Sequence, residues 1–152
     1  MSGMEFDLPE DLFGQLLDSD FEEISKEALT KSIPLVMDSV KRECAAVIGD
    51  KSRTDLVNSL KVWRKGMVKT RTDACMLGVS FTGKPSNKSK WASSSNGKSR
   101  TRTTTNNDIA WWLEHGNRHQ PARPFMDKAT ANVEDKVNEA IQKAFNKKVG
   151  AK

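Results

Sequence analysis

Two apolar stripes with helical spacing, one towards each end of the chain, constrain the fold most. Apolar side chains recur every three or four positions in residues 19–49 and again after residue 125, which places them along one face of a helix. The first stripe is Leu29, Ile33, Val36, Val40, Cys44 and Val47, and the second is Ala129, Val133, Val137, Ala140, Ile141 and Ala144. The sequence therefore predicts two long amphipathic helices.

The ends of these helices carry their own signals. Ser19 followed by Glu22 has the spacing of a capping box, and Gly49 is a suitable stop for the first helix. Pro34 lies inside that helix, where its ring would clash with the carbonyl of Thr30, so we expect either a kink or two abutting helices. The last helix is predicted to begin at Phe125 or Met126.

Between the helices the apolar period changes from about four to two, which is typical of strands. Cys75, Leu77, Val79 and Phe81 alternate with more polar or smaller residues, and Leu60 and Val62 have the same spacing. We expect two antiparallel strands joined by a basic turn near residues 65–73. The predicted fold is a single α+β domain over 19–152, preceded by an acidic arm over 1–18, with the C-terminal helix packed on a small antiparallel sheet.

Residues 83–107 form a polar, basic insertion in this domain. They contain many Lys and Arg residues, no acid and a single large apolar side chain. Asn96-Gly97 favours a hairpin turn, so the insertion is predicted to be a long basic hairpin or loop. Its candidates for contact with DNA or with a neighbouring subunit are Lys84, Lys88, Lys90, Trp91, Lys98, Arg100 and Arg102.

Charge is strongly divided along the chain. Residues 1–30 carry nine acids and one base, whereas residues 51–105 carry thirteen bases and two acids. This division of charge has three interpretations. Copies of the chain could attract one another head to tail, the basic part could face nucleic acid, or the charged residues could simply form solvated faces. No run of eighteen apolar residues and no secretory signal pattern is present, and two distant cysteines make no disulfide framework. These features predict cytoplasmic synthesis without a membrane span.

The stretch LEHGNRHQPARPF holds both histidines, His115 and His119, but favours architecture over chemistry. Gly116 and Pro121 oppose a continuous helix that would align the two imidazoles, and isolated glycines make no phosphate loop. We assign no catalytic residue, cofactor or metal and expect a protein that is not an enzyme; a small metal-dependent nuclease is the outside alternative. The prolines instead predict a rigid bend, across which Glu114 and Arg123 either pair or stay solvated.

The preceding segment, NNDIAWWLE, fits a short helix capped by Asp108 and ended by Gly116, although strand alternation fits nearly as well. Phe125 is expected to anchor the far end of the bend in the core.

Two motifs in this order resemble a family of head–tail joining proteins of long-tailed bacteriophages, the neck or tail-completion proteins. The family pattern around the bend is matched by Glu114, Gly116, Gln120, Pro121, Ala122, Arg123, Pro124 and Phe125. An upstream element is matched by Thr54, Asp55, Leu56, Ser59 and Leu60. The resemblance covers roughly residues 19–147. His115 replaces an aromatic residue, Asn117 replaces a threonine, and a glycine between Thr54 and Asp55 is missing.

The resemblance implies a structural virion component made in the host bacterial cytoplasm and placed at the head–tail interface. Such proteins form rings, with a hexamer favoured here and a dodecamer also open. The implied partners are the portal, adaptor or stopper proteins on the head side and the tail tube or tail terminator on the other, with genomic DNA passing through the lumen. The alternatives are a non-specific DNA-binding accessory protein that acts through residues 83–107, and a relative of the tail terminator.

Overall fold

The structure, a computed structural model, describes residues 18–49, 54–69, 75–86, 90–95 and 97–150. The predicted acidic arm, residues 1–18, lies outside these ranges except for Asp18. Lys88 also lies outside them. The protein is α+β. Its elements are α1 (Asp18–Ile48), α2 (Thr54–Asn58), β1 (Leu60–Lys69), β2 (Cys75–Phe81), β3 (Lys90–Ser95), β4 (Lys98–Thr103), α3 (Asn106–His115) and α4 (Met126–Val149).

Helix α1 runs without interruption across Pro34, so the alternative of two abutting helices is wrong. Pro34 lies on the exposed side of α1, away from the packed face. A kink at this position stays a prediction. The helix ends where Gly49 was expected to end it: Gly49 has φ +66° and its N–H donates to the carbonyl of Ala45 at 3.0 Å.

Helices α1 and α4 form an antiparallel pair, which is the largest packing contact between helices. The Lys148 ammonium lies 3.1 Å from the Glu23 carboxylate near one end, and the Ser39 hydroxyl donates to the carbonyl of Ala129 at 3.0 Å near the other. The prediction that the C-terminal helix packs on the sheet is therefore wrong. Its main contact is with α1, and α1 in turn contacts both β2 and β1.

The face that α1 buries is richer in small and polar residues than the apolar stripe predicts. Its buried members are Ile24, Ser25, Ala28, Ser32, Val36, Ser39, Val40 and Cys44, whereas Leu29, Ile33 and Val47 are only half-buried. Alanine and serine let two helix backbones approach closely, and one of these residues, Ser39, bonds the backbone of α4. On α4 the predicted stripe is confirmed for Ala129, Val133, Val137, Ile141 and Ala144, and Phe145 joins it.

Strands β1 and β2 pair antiparallel, as predicted. Leu60 lies opposite Phe81 and Val62 lies opposite Val79. The register shifts between Trp63 and Val68. Strand β1 continues to Lys69, so the turn between the strands begins later than the predicted turn near residues 65–73. Leu60 and Phe81 are buried at the end of this sheet that faces the helices.

Strands β3 and β4 pair antiparallel from Lys90 opposite Thr103 to Ser95 opposite Lys98, around Gly97 with φ +72°. Among the described strands they form a second two-stranded sheet, separate from β1–β2. No helix in the described ranges is both long and apolar enough to cross a membrane.

Candidate functional site

Helix α3 leads into the candidate site, and a reciprocal cap fixes its start. The Asp108 N–H donates to the Thr105 hydroxyl at 3.1 Å, and the Thr105 N–H donates to the Asp108 carboxylate at 2.9 Å. This is a capping box, which satisfies two donors that the first turn of a helix leaves open. The predicted helix is confirmed, but the prediction of Asp108 as its cap is wrong, because Thr105 is the cap and Asp108 is its partner three residues on.

Gly116 ends α3 and allows the chain to fold back on itself. Its φ is +75°, and its N–H donates to the carbonyl of Trp112 at 2.9 Å. A Cβ at this position would lie 2.6 Å from the backbone nitrogen of Ala122 and 3.0 Å from the carbonyl carbon of Pro121. Only glycine fits, because both the positive φ and the close approach exclude a side chain.

Asn117 holds the tight turn that follows. Its backbone exchanges two hydrogen bonds with Gln120, at 2.9 and 3.2 Å. Its side-chain oxygen also accepts from the N–H of His119 at 2.8 Å and of Gln120 at 3.0 Å. Asparagine is suited to this role because its short side chain can bond the backbone two residues ahead. Asn117 therefore holds this turn with both its backbone and its side chain.

The two histidines lie apart from any metal-binding arrangement within the described ranges. His119 is exposed and its Nε2 accepts from Arg118 Nε at 3.0 Å. His115 is exposed and its ring lies 4.8 Å from that of Trp111. No three His, Cys, Asp or Glu residues of the described chain are placed to hold a metal ion.

Glu114 is the central side chain of the bend, and it caps α4, a helix that starts twelve residues later in the chain. It is only 7% exposed. Its carboxylate accepts from the backbone N–H groups of Phe125 at 2.9 Å, Met126 at 2.9 Å and Asp127 at 3.3 Å. A carboxylate at this place satisfies open amide donors and lies at the positive end of the α4 dipole.

Glu114 therefore does not pair with Arg123 across the bend. The carboxylate is taken by backbone amides, while the Arg123 side chain is exposed. Arg123 contributes through its backbone instead, since its N–H donates to the carbonyl of Leu113 at 2.7 Å. Pro121 and Pro124 lie exposed on either side of this contact.

Phe125 is fully buried, which confirms its predicted place in the core. Its ring meets that of Phe81 edge to face, with centroids 5.9 Å apart and planes at 76°. The bend is thus fastened at both ends, by a buried carboxylate and by a buried aromatic ring.

The upstream motif packs into the same core. Leu56 of α2 is 1% exposed and belongs to the cluster that contains Phe81 and Phe125. The Ser59 hydroxyl donates to the carbonyl of Leu56 at 2.7 Å, and the Ser59 carbonyl accepts from the N–H and the hydroxyl of Thr82 at 2.9 and 3.0 Å. Asp55 accepts from the hydroxyl of Ser86. The backbone of Thr54 begins α2, and its side chain lies outside the description.

Asn106, which the sequence did not single out, ties these parts together. Its side-chain amide donates to the carbonyl of Thr82 at 2.8 Å, and its backbone N–H donates to the carbonyl of Gly83 at 3.0 Å. Asn106 is buried, so the end of β2 is held against the start of α3. The structure therefore brings the two motifs together, although about fifty residues separate them in sequence.

The basic candidates lie on and beside the β3–β4 hairpin. Lys84, Lys90, Lys98 and Arg102 are exposed, whereas the side chains of Trp91 and Arg100 lie outside the description. Arg102 forms an ion pair with Asp108, which joins the β3–β4 hairpin to α3. One helical turn further along α3, Trp111 is 56% exposed. No role for Trp111 was predicted from the sequence.

Comparisons with protein-family models, with characterised proteins and with solved structures found no match for this chain.

Proposed function

We propose that this chain is a structural protein of the neck of a long-tailed bacteriophage, which forms a ring and joins the DNA-filled head to the tail. The observation that carries the proposal is the joint between α3 and α4. Both segments that resemble the head–tail joining family meet at one core, where Glu114, Gly116 and Phe125 fix the path of the chain.

The joint suits a connector better than a catalyst. Two of its polar side chains are already hydrogen-bonded to the backbone: the Glu114 carboxylate caps α4, and the Asn117 side chain holds a turn. A reactive group has to present a free atom to a substrate, whereas these atoms are already bonded to the chain. What the joint leaves exposed is the rigid Pro121–Pro124 segment, a suitable surface for a protein partner.

The proposed ring has six subunits, with twelve as the alternative, and lies in the virion between two sets of partners. On the head side these are the portal, adaptor or stopper proteins, and on the other side the tail tube or tail terminator. Genomic DNA would pass through the lumen. A closed ring of identical copies uses one patch of each subunit against a different patch of the next, which agrees with a chain of divided charge.

Quantitative mass spectrometry of purified DNA-filled virions tests the proposal by counting this chain against the portal subunit. We expect about six or about twelve copies per particle. Absence from virions, with the protein abundant in infected cells, would overturn it. Tails purified from an infection that makes no heads separate a neck protein, which they should lack, from a tail-terminator relative, which they should contain.

A second candidate function is favoured by the exposure of Lys84, Lys90 and Lys98 on and beside the hairpin. These bases suit non-specific binding of phosphates by an accessory protein. Such binding to duplex DNA weakens steeply between about 50 and 200 mM salt, because it depends on counterion release. Fluorescence anisotropy with a labelled duplex measures it, and absent or salt-independent binding would remove this candidate.

A further inference from the structure

Each of the two sheets has one strand that carries several bases and one that carries few or none. Among the described strands, β1–β2 and β3–β4 are separate two-stranded sheets, so each strand has one edge without a partner strand. An unpaired edge presents a row of backbone N–H and C=O groups, on which another strand can pair. Native proteins place charged residues on such edges, above all lysine, because the charges discourage pairing between chains.

Charge divides the four edges into two kinds. The bases of β1 are Lys61, Arg64, Lys65 and Lys69, and those of β4 are Lys98, Arg100 and Arg102. Strand β2 has no charged residue, and β3 has only Lys90, at its first position. We call the outer edges of β2 and β3 the open edges, since repulsion between like charges does not oppose a partner strand there.

The hydrogen-bond pattern identifies the residues that face outward on the open edge of β3. Ser95 and Lys98 are register partners on either side of a two-residue turn, and such partners exchange both backbone hydrogen bonds. Because bonded and non-bonded pairs alternate, Ser93 also bonds β4, whereas Ala92 and Ser94 direct their backbone groups outward.

The same alternation identifies an outward residue of β2. The Thr82 N–H donates to the Ser59 carbonyl at 2.9 Å, one position beyond the register partners Phe81 and Leu60. Bonds to β1 therefore recur at every second residue from Thr82, and Val79 lies between them with its backbone groups directed outward. In the described part of the chain, no backbone hydrogen bond joins β2 or β3 to an element other than its partner strand.

The β3–β4 hairpin has the greater need of a partner. Except for Trp91 and Ala92, its two strands consist of Lys, Arg, Ser and Thr. The ion pair between Arg102 and Asp108 links it to α3, but it has no extensive packing contact with another described helix or strand. A two-stranded hairpin is marginally stable alone in water. Backbone pairing on its open edge would add stability without requiring an apolar face.

Within one copy the two open edges are not paired with each other. The chain beyond β2 is held against α2 and α3, because the Ser86 hydroxyl donates to Asp55 and the Asn106 N–H donates to the Gly83 carbonyl. A second copy offers each open edge the other one. Strand β2 has seven residues and β3 has six, so the two edges match over about 20 Å.

We propose that β3 of one copy pairs with the open edge of β2 in the next copy around the ring, which joins the two sheets into one four-stranded sheet across the subunit contact. This inference rests on the proposed function, since it assigns the contact between ring subunits. Pairing of β2 with a second β2 would leave β3 uncovered, whereas β2 with β3 covers both open edges. It also uses a different patch on each side of a subunit, as a closed ring requires.

Proline substitutions in the full-length chain test the contact, because proline removes one backbone donor and fits an edge strand where that donor faces outward. Ala92→Pro alters the open edge of β3, and Thr101→Pro, at its register partner, makes the same change on the charged edge of β4. Val79→Pro and Val62→Pro form the matching pair in β2 and β1, and both valines are half-buried. Self-association is measured by sedimentation velocity and native mass spectrometry in about 150 mM salt, where exposed charges are screened.

We expect the wild-type chain to assemble, and Ala92→Pro and Val79→Pro each to associate about tenfold or more weakly, because a hydrogen bond between copies is lost. Thr101→Pro should assemble like wild type, and Val62→Pro should assemble better than Val79→Pro. Assembly weakened by Val79→Pro but not by Ala92→Pro would indicate pairing of β2 with β2 and would overturn the contact.

Hydrogen exchange of the wild-type chain provides a second measure that needs no substitution. On assembly the amides of Val79, Ala92 and Ser94 should gain protection, whereas the outward amide of Thr101 should not. A wild-type chain that remains monomeric at all concentrations, or assembles without this protection, would also overturn the contact.

The virion count separates this contact from the proposed function. If virions contain the chain at ring stoichiometry while Ala92→Pro assembles like wild type, the neck function stands and this contact fails. Rings that depend on Ala92 and Val79, formed by a chain that virions lack, would give the reverse result.

Discussion

Replacement of Glu114 by alanine should destabilise the fold far more than an average carboxylate does. The Glu114 carboxylate accepts three backbone N–H groups at the start of α4. The amides of Phe125 and Met126 are buried or partly buried and would lose their acceptor, whereas the amide of exposed Asp127 can bond water. Two unsatisfied donors cost about 1–3 kcal/mol each, so we expect a loss of about 2–6 kcal/mol in the free energy of unfolding.

Glu114→Gln should lose less, about 1–2 kcal/mol, because one oxygen still accepts while the charge at the helix dipole is gone. Urea unfolding followed by circular dichroism gives both values from the midpoint and slope. Glu134→Ala, on the exposed side of α4, is the matched control and should change stability by less than about 0.5 kcal/mol. A Glu114→Ala variant as stable as that control would refute the assignment of Glu114 as the cap of α4.

Three further outcomes are expected. Gly116→Ala should cost about 3 kcal/mol or more, whereas Gly49→Ala, with a positive φ but no atom within 4 Å of its Cβ, should cost about 1–2 kcal/mol, both by urea unfolding. Phe125→Ala should cost about 3–5 kcal/mol. The proposed neck function predicts that phage carrying this change yield unjoined heads and tails by electron microscopy, and normal titres would contradict the role of the joint. Burial raises the pKa of the Cys44 thiol from 9.0 to about 11, so its contribution to stability is present below about pH 9 and lost as the pH rises towards 11. In a Cys75→Ser background, iodoacetamide at pH 8 should therefore alkylate Cys44 about a hundredfold more slowly in the folded chain than in urea.

Elements whose signal is local were predictable from sequence. The apolar stripe of α4 and the glycine at the end of α3 depend on residues a few positions apart, so the pattern contains them. The pairing of β1 with β2 was predictable for a similar reason, since two short alternating runs joined by a turn have one evident antiparallel arrangement. The cap of α3 was misassigned by three residues because Thr105 and Asp108 both have capping side chains.

The partners of α1 and α4 were not predictable in the same way. Apolarity ranks Leu29 and Ile33 above Ser32 and Ser39, yet the serines are buried and those larger residues are only half-buried. Helix contact selects small side chains where two backbones approach, and the Ser39 hydroxyl finds its acceptor on α4, ninety residues away. No local pattern contains that partner.

What the sequence alone determined is the class of the fold, the presence of its two long helices, the division of charge and the presence of a bend at Gly116–Phe125. Hydrophobic period, chain-stiffening prolines and net charge are properties of neighbouring residues, and they act before any tertiary contact forms. The tertiary structure decided what each feature is for. In the folded chain Glu114 caps α4 instead of pairing with Arg123, and Leu56 and Phe125 lie in one core. Those roles depend on donors and rings that are distant in the chain, and only folding brings such groups within bonding distance.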